Sequence, residues 1–349
     1  SRKNIDRIRI ARRMRSLAFP APPKESTPKW KERFRHILLL DTSCASDNIG
    51  DEIIYTSARK ILDPLFSDAY ISTASSHDGL GNFSRAAAQT ADIIFLIGTN
   101  ALSPTYHLNQ NFIWNIKSED IRHLENKVVL LGVGANRSFE SIDRNQIEIL
   151  NILLSDQHKH STRDALGAQI VKAAGHEALN TSCPTLWELP RKQRDQKAKK
   201  VCFTLTKHKA SALDKKFIEI ISDNYEEIYF WPQQARDLDY LNHICSKHIE
   251  IVPPNLRSYD ALLQTAHIDV VGTRLHGTIR GLQHGQRGIV ISIDNRAKEI
   301  SEATGLPAVA RESIESDLQT MINTPPSGQP NIDTLTIDRF LQQFLLETN

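Results

Sequence analysis

The chain has 349 residues, 40% hydrophobic and 24% charged, the balance of a globular protein long enough for two domains. Its four cysteines, Cys44, Cys183, Cys202 and Cys245, form no CxxC pair, so neither a disulfide framework nor a cysteine zinc site is indicated; free thiols in a reducing compartment fit best. The net charge of +2 hides an uneven spread: residues 1–36 hold 12 Lys or Arg against 3 Asp or Glu, and the remainder holds 31 against 38.

In chain order, the basic arm comes first. "IDRIRIARRMRSLAF" (Ile5 to Phe19) sets Ile8, Met14, Leu17 and Phe19 among arginines, the pattern of a helix lying on an anionic membrane surface. A solvated arm or a subunit-packing helix fits equally well. "PAPPKESTPK" (Pro20 to Lys29) reads as a linker, so residues 1–35 form an arm outside the folded body. No apolar run approaches the ~18 residues of a membrane span and no signal-peptide core follows the charged start. The expected location is cytoplasmic, with the arm allowing peripheral contact at the inner face of the membrane, and no nucleic-acid partner is expected. A start at Ser1 is expected of a trimmed or processed chain.

The body alternates apolar runs with helix-spaced segments. "HILLLDT" (His36 to Thr42), "ADIIFLIGT" (Ala91 to Thr99) and "KVVLLGVG" (Lys127 to Gly134) read as buried parallel strands. The segments "NIGDEIIYTSARKIL" and "NQIEILNILLSDQHK" read as helices. "ELPRKQRDQKAKK" (Glu188 to Lys200) has no period and reads as a linker. After it "VCFTLT", "EIYFW", "IEIV", "IDVVG" and "GIVISI" restart the alternation. The expected fold is therefore α/β, with two doubly wound Rossmann-like domains, 36–187 and 201–323, facing a central cleft. "TPPSGQP" (Thr324 to Pro330) reads as a second linker, and Ile332 to Glu347 as a closing amphipathic helix within 324–349.

Ligands of open α/β sheets collect beyond the carboxyl ends of the strands, so strand-end residues are the candidates. "TRLHG" (Thr273 to Gly277) follows the strand "IDVVG" and opens a helix. A helix N-terminus attracts anions and lowers the pKa of a nearby histidine. Arg274 adds a fork suited to phosphate or carboxylate, His276 a proton donor and acceptor near working pH, and Gly277 close backbone approach. Arg274 paired to a carboxylate, with His276 as a cap, would explain the same residues. "DNIGDEII" (Asp47 to Ile54) supplies Asn48 and Gly50 for a tight loop and Asp51 as a cap or a ligand to hydroxyls. In "STRDALG", Arg163 opposes the dipole of the helix it starts, which favours a functional demand, although a pairing with Asp164 is also open. "FWPQQARD" (Phe230 to Asp237) reads better as a plain turn than as a place for Gln233 or Asp237 at the cleft. His158 and His160 lack a third ligand at metal spacing, "GVGANRS" lacks the full nucleotide fingerprint, and no nucleophile elbow appears.

"DNIGDEII", "ADIIFLIGTN", "STRDALG" and "TRLHGTIRGLQHGQRGIVISIDNRAKE", in this order over Ile37 to Pro307, resemble the polysaccharide pyruvyl transferase family. The resemblance implies a two-domain fold similar to B-type glycosyltransferases, and transfer of the enolpyruvyl unit of phosphoenolpyruvate onto two hydroxyls of a sugar as a cyclic ketal. It places the family's RD arginine on Arg163, its RLH element on Arg274, Leu275 and His276, and its Gly-Asp pair on Gly50 and Asp51. His276 would then be acid and base, with Arg274 and Arg163 holding the donor and Asn48 with Asp51 facing the acceptor. Gly98 stands beside Thr99 where many relatives look to have a Gly-Gly pair, so the loop is less free, which bears on the details of acceptor binding rather than on the reaction. The implied partners are phosphoenolpyruvate and a sugar or oligosaccharide, free or lipid-linked, with oligomers open; no cofactor and no metal are implied. A nucleotide-sugar glycosyltransferase and a non-catalytic glycan-assembly subunit are the alternatives.

Overall fold

Apolar runs without polar alternation become central parallel strands, because a strand covered by helices on both faces has no wet side. That arrangement occurs twice in the structure, a computed structural model that describes residues 34–190, 194–324 and 330–345. The basic arm up to residue 33 and parts of both expected linkers, 191–193 and 325–329, lie outside the described residues, as does the arm's expected membrane contact.

The first lobe runs β1 (His36–Asp41), α1 (Ile49–Leu65), β2 (Tyr70–Ser75), α2 (Asn82–Thr90), β3 (Ile93–Ile97), α3 (Ile121–Leu124), β4 (Val128–Leu131), α4 (Arg144–Leu153), β5 (His160–Thr162), α5 (Ala165–Ala173) and β6 (Ala178–Asn180). Its sheet has the order β2-β1-β3-β4, all parallel, and the β5–β6 pair continues it through an isolated bridge from Val133 to Thr162. Successive side chains of β1 point to opposite faces. Leu38 and Leu40 enter the core beneath α2, α4 and α5, while Ile37 and Leu39 enter the core beneath α1.

The second lobe runs β7 (Lys200–Thr204), α6 (Leu213–Asn224), β8 (Glu227–Phe230), α7 (Ala235–Ile244), β9 (Glu250–Ile251), α8 (Leu256–Thr265), β10 (Ile268–Gly272), α9 (Leu275–Gln283), β11 (Gly288–Ser292), α10 (Asn295–Thr304), β12 (Ala308–Ala310) and α11 (Gln319–Asn323). Its parallel order is β12-β11-β10-β7-β8-β9. Val201 and Phe203 of β7 pack with α6 and α7, and Cys202 packs on the other face with Tyr259 and Leu263 of α8. The expected architecture, two doubly wound lobes about a cleft, is what the structure has. Sequence reading missed β2, β5, β6 and β12, of which the last three have three residues each.

The chain then returns to the first lobe. In α12 (Thr334–Gln342) and just after it, Phe340 and Phe344 pack with Phe66 and Phe95. The Gln343 amide exchanges hydrogen bonds with the Lys159 backbone at 2.7 and 3.1 Å. No helix among the described residues is long and apolar enough to cross a membrane.

Candidate active site

Each sheet has one point where its strand order reverses, and ligands of doubly wound folds bind in the crevice that opens there. In the first lobe that point lies between β1 and β3, followed by the loops 46–51 and 98–100; in the second it lies between β7 and β10, followed by 205–208 and 273–276. Both points face one cleft of about 290 Å³, to which Asn48, Asp51, Asn100, Thr206, Arg274 and His276 all contribute.

The second-lobe wall is the first turn of α9. Arg274 is its N-cap residue, and its side chain makes no capping bond. Instead Nε donates to Asp237 Oδ2 at 2.9 Å, while Nη2 donates to Asp237 Oδ1 at 2.7 Å and to Gln234 Oε1 at 2.6 Å. Asp237 is fully buried and also accepts from the backbone N–H groups of Lys207 and Gln234, so its charge is met from four directions. Burial holds the Arg274 guanidinium below its usual pKa range, with Asp237 opposing that shift. The fork expected to face a ligand is thus occupied by Asp237, leaving Nη1 as the guanidinium nitrogen with no partner among the described residues. Behind this turn the Tyr259 hydroxyl donates to the Gly277 carbonyl at 2.9 Å, and the Tyr259 ring stacks on Trp231 at 3.9 Å. His276 lines the cleft and is nearly buried; its Nε2 lies 3.6 Å from the fully buried Cys183 thiol of the first lobe.

The first-lobe wall begins at the turn into α1. Asn48 is the N-cap: its Oδ1 accepts from the Gly50 N–H at 3.1 Å and from Gln233 Nε2 at 2.8 Å. The Ile49 N–H donates to the Gln233 carbonyl at 3.1 Å, and Gln234 Nε2 donates to Asp47 at 2.8 Å, so this loop is also the seam between the lobes. Asp51 lines the cleft and accepts from the Ser46 hydroxyl at 2.6 Å. Arg163 reaches the same cleft with its side chain buried, donating through Nη2 to Asn100 Oδ1, while its Nε stays 4.0 Å from Asp164. The pairing with Asp164 is therefore long, and Asn100 is the closer partner.

Six of the expected site residues, Asn48, Asp51, Arg163, Arg274, Leu275 and His276, meet at the cleft. Gly50, Gly98 and Gly277 stand behind its wall, where they serve packing. A Cβ on Gly50 would meet Gln233 Nε2 at 2.6 Å, and one on Gly98, whose φ is +62°, would meet Ile54 Cγ2 at 2.2 Å. Thr99 follows with φ +57°, so a β-branched residue holds a left-handed conformation that glycine would adopt freely.

Sequence reading undervalued Gln233, Gln234 and Asp237: the stretch taken for a plain turn carries the capping box of α7 and the clamp on Arg274. Cys183 was missed as a neighbour of His276 because 93 residues separate them. Among the described residues, no group of three or more His, Cys, Asp or Glu is placed to hold a metal ion.

A family profile described as polysaccharide pyruvyl transferase matches residues 48–295. Among solved structures, one similar to this chain is a protein provisionally described as a UDP-N-acetylglucosamine 2-epimerase from Listeria monocytogenes. It is 10% identical with a TM-score of 0.46, over 88% of this chain and 94% of that one. No curated protein sequence matches the chain.

Proposed function

The chain belongs to the polysaccharide pyruvyl transferase family, transferases with a sugar or polysaccharide acceptor, and from that premise we propose that its donor is phosphoenolpyruvate and its product a cyclic pyruvate ketal. One observation carries the reading: Arg163 from one lobe and Arg274 with His276 from the other converge on a single small cleft. Phosphoenolpyruvate bears a phosphate and a carboxylate, and each charge-assisted hydrogen bond to such a group contributes about 1.5–3 kcal/mol. Arg163, Arg274 through Nη1, and the backbone N–H groups at the start of α9 are the donors that would meet it.

In this scheme His276 delivers a proton to the methylene carbon while one sugar hydroxyl adds to the central carbon and gives up its proton. The bond from the central carbon to the phosphate oxygen breaks, and the second hydroxyl closes the ring. Of the two protons lost by the diol, one replaces the proton His276 placed on the methyl group and the other leaves with phosphate, so the imidazole ends as it began. Such a group typically supplies about 10²–10⁴-fold in rate. Asp51 stands on the opposite wall as the acceptor for a hydroxyl proton, and Asn48 holds the loop that presents it. The scheme needs no cofactor beyond the donor. Incubation with phosphoenolpyruvate and a panel of sugars should release phosphate with formation of a pyruvylated sugar; phosphoenolpyruvate should raise the melting temperature and nucleoside diphosphates should not. Stabilisation by nucleoside diphosphates alone would overturn the proposal in favour of a nucleotide-sugar donor.

A further inference from the structure

The cleft does not end at the donor residues. A second bay of about 480 Å³ opens beside it, and the two share Asn100, His208 and Asp294 as walls. The bay is larger than the cleft it joins, and within the roughly 300–1,000 Å³ of ordinary ligand sites. Both lobes build it at the carboxyl ends of their strands. The loop after β4 supplies Arg137 and Ser138, β7 is followed by Lys209, and Glu299 comes from α10.

We infer that this outer bay holds the body of the acceptor and is built for an uncharged sugar of more than one ring. This deepens the reading above, on which it rests, by naming the acceptor's class and seat. The two reacting hydroxyls then lie at the junction, where Asn100 both accepts from Arg163 and walls the bay.

Three features of the walls select this ligand. Amides, a hydroxyl and charged groups of both signs line the bay and no Phe, Tyr or Trp does, so sugar hydroxyls find donors and acceptors, while the His208 imidazole, shared with the inner cleft, is the one ring among the lining residues. Arg137 and Lys209 face Asp164, Asp294 and Glu299, so an anionic acceptor gains no net attraction. The carboxyl of Glu299 is already held above its ordinary range by burial and by the neighbouring Asp164, Glu302 and Asp294, so further negative charge there is opposed.

Saturation-transfer NMR on the full chain, with methyl glycosides and disaccharides of neutral hexoses as probes and methyl glucuronide as comparison, tests the bay without requiring turnover. Neutral disaccharides should receive saturation more strongly than the glucuronide. Ser138→Trp, an exposed loop position that fills the bay, should remove at least tenfold of that signal, while phosphoenolpyruvate still raises the melting temperature. Equal signal in Ser138→Trp, preference for the glucuronide, or no signal from any neutral sugar would overturn the inference. Absence of stabilisation by phosphoenolpyruvate would count against the donor reading alone, because sugar binding is read separately.

Discussion

Arg274 and Asp237, 37 residues apart in sequence, meet as a buried pair with Nη2 to Oδ2 at 2.6 Å and Nε to Oδ2 at 2.9 Å. The carboxylate sits at the first turn of α7 and the guanidinium at the first turn of α9, so the pair locks two helix starts of the second lobe against each other. Removing one partner of a buried pair leaves an uncompensated charge, which costs about 3–5 kcal/mol. Asp237→Ala should lower the unfolding free energy in urea by that order. Asp237→Asn keeps the shape but removes the charge and replaces one accepting oxygen by a donor, so it should also lower stability, and it should raise the KM for phosphoenolpyruvate more than it lowers kcat. An unchanged KM in that variant would show that Arg274 does not need its clamp to meet the donor.

His276→Gln should fold with the wild-type melting profile and lose about 10²–10⁴-fold in kcat. Single-turnover phosphate release with saturating phosphoenolpyruvate measures this. A loss below tenfold would remove the imidazole from the proton transfers.

Gly98→Ala should destabilise the chain by about 2 kcal/mol or more, because φ is +62° and the added methyl meets Ile54 Cγ2 at 2.2 Å. Thr99→Gly relieves a left-handed β-branched residue worth ~1–2 kcal/mol of strain, offset by ~0.5–1 kcal/mol of extra chain entropy, so its stability should rise slightly or stay level. Denaturant midpoints of the two variants should therefore move in different directions or by very different amounts. A Gly98→Ala midpoint equal to the wild type would contradict the packing argument.

Acid should weaken the first lobe through two buried histidines. Burial lowers the pKa of His107 to about 4 and that of His160 to about 3, from an ordinary value of 6.5. Between the ordinary and folded values the unfolded chain binds more protons than the folded one, so stability falls as pH drops from 6.5 through about 4. Full protonation of the unfolded His107 alone corresponds to roughly 3 kcal/mol. Urea titrations from pH 7 to pH 4 should show this decline, and His107→Asn should flatten part of it. A slope unchanged in that variant would assign the acid sensitivity elsewhere.

The fold was legible where one physical demand wrote itself along consecutive residues. "HILLL", "IIFLI" and "VVLL" are apolar without alternation because both faces are covered, and each lies in a strand as expected. The three-residue strands "HST" and "ALN" carry too little pattern to be seen. At the site, Arg163, Arg274 and His276 were legible from strand-to-helix junctions. Their partners Asn100, Asp237 and Cys183 were not, since each pairing joins residues 37 to 93 positions apart and depends on how the layers stack. Gly50 and Gly98 were visible as glycines, but what they admit is a neighbouring side chain, Gln233 or Ile54, which only packing reveals.

The return of α12 to the first lobe has a mechanical result. The polypeptide crosses from one lobe to the other twice, once between β6 and β7 and once before α12, so the halves are pinned at two places. The second tether adds to the seam made by Asn48, Asp47, Gln233 and Gln234 in holding the two walls of the cleft opposite each other.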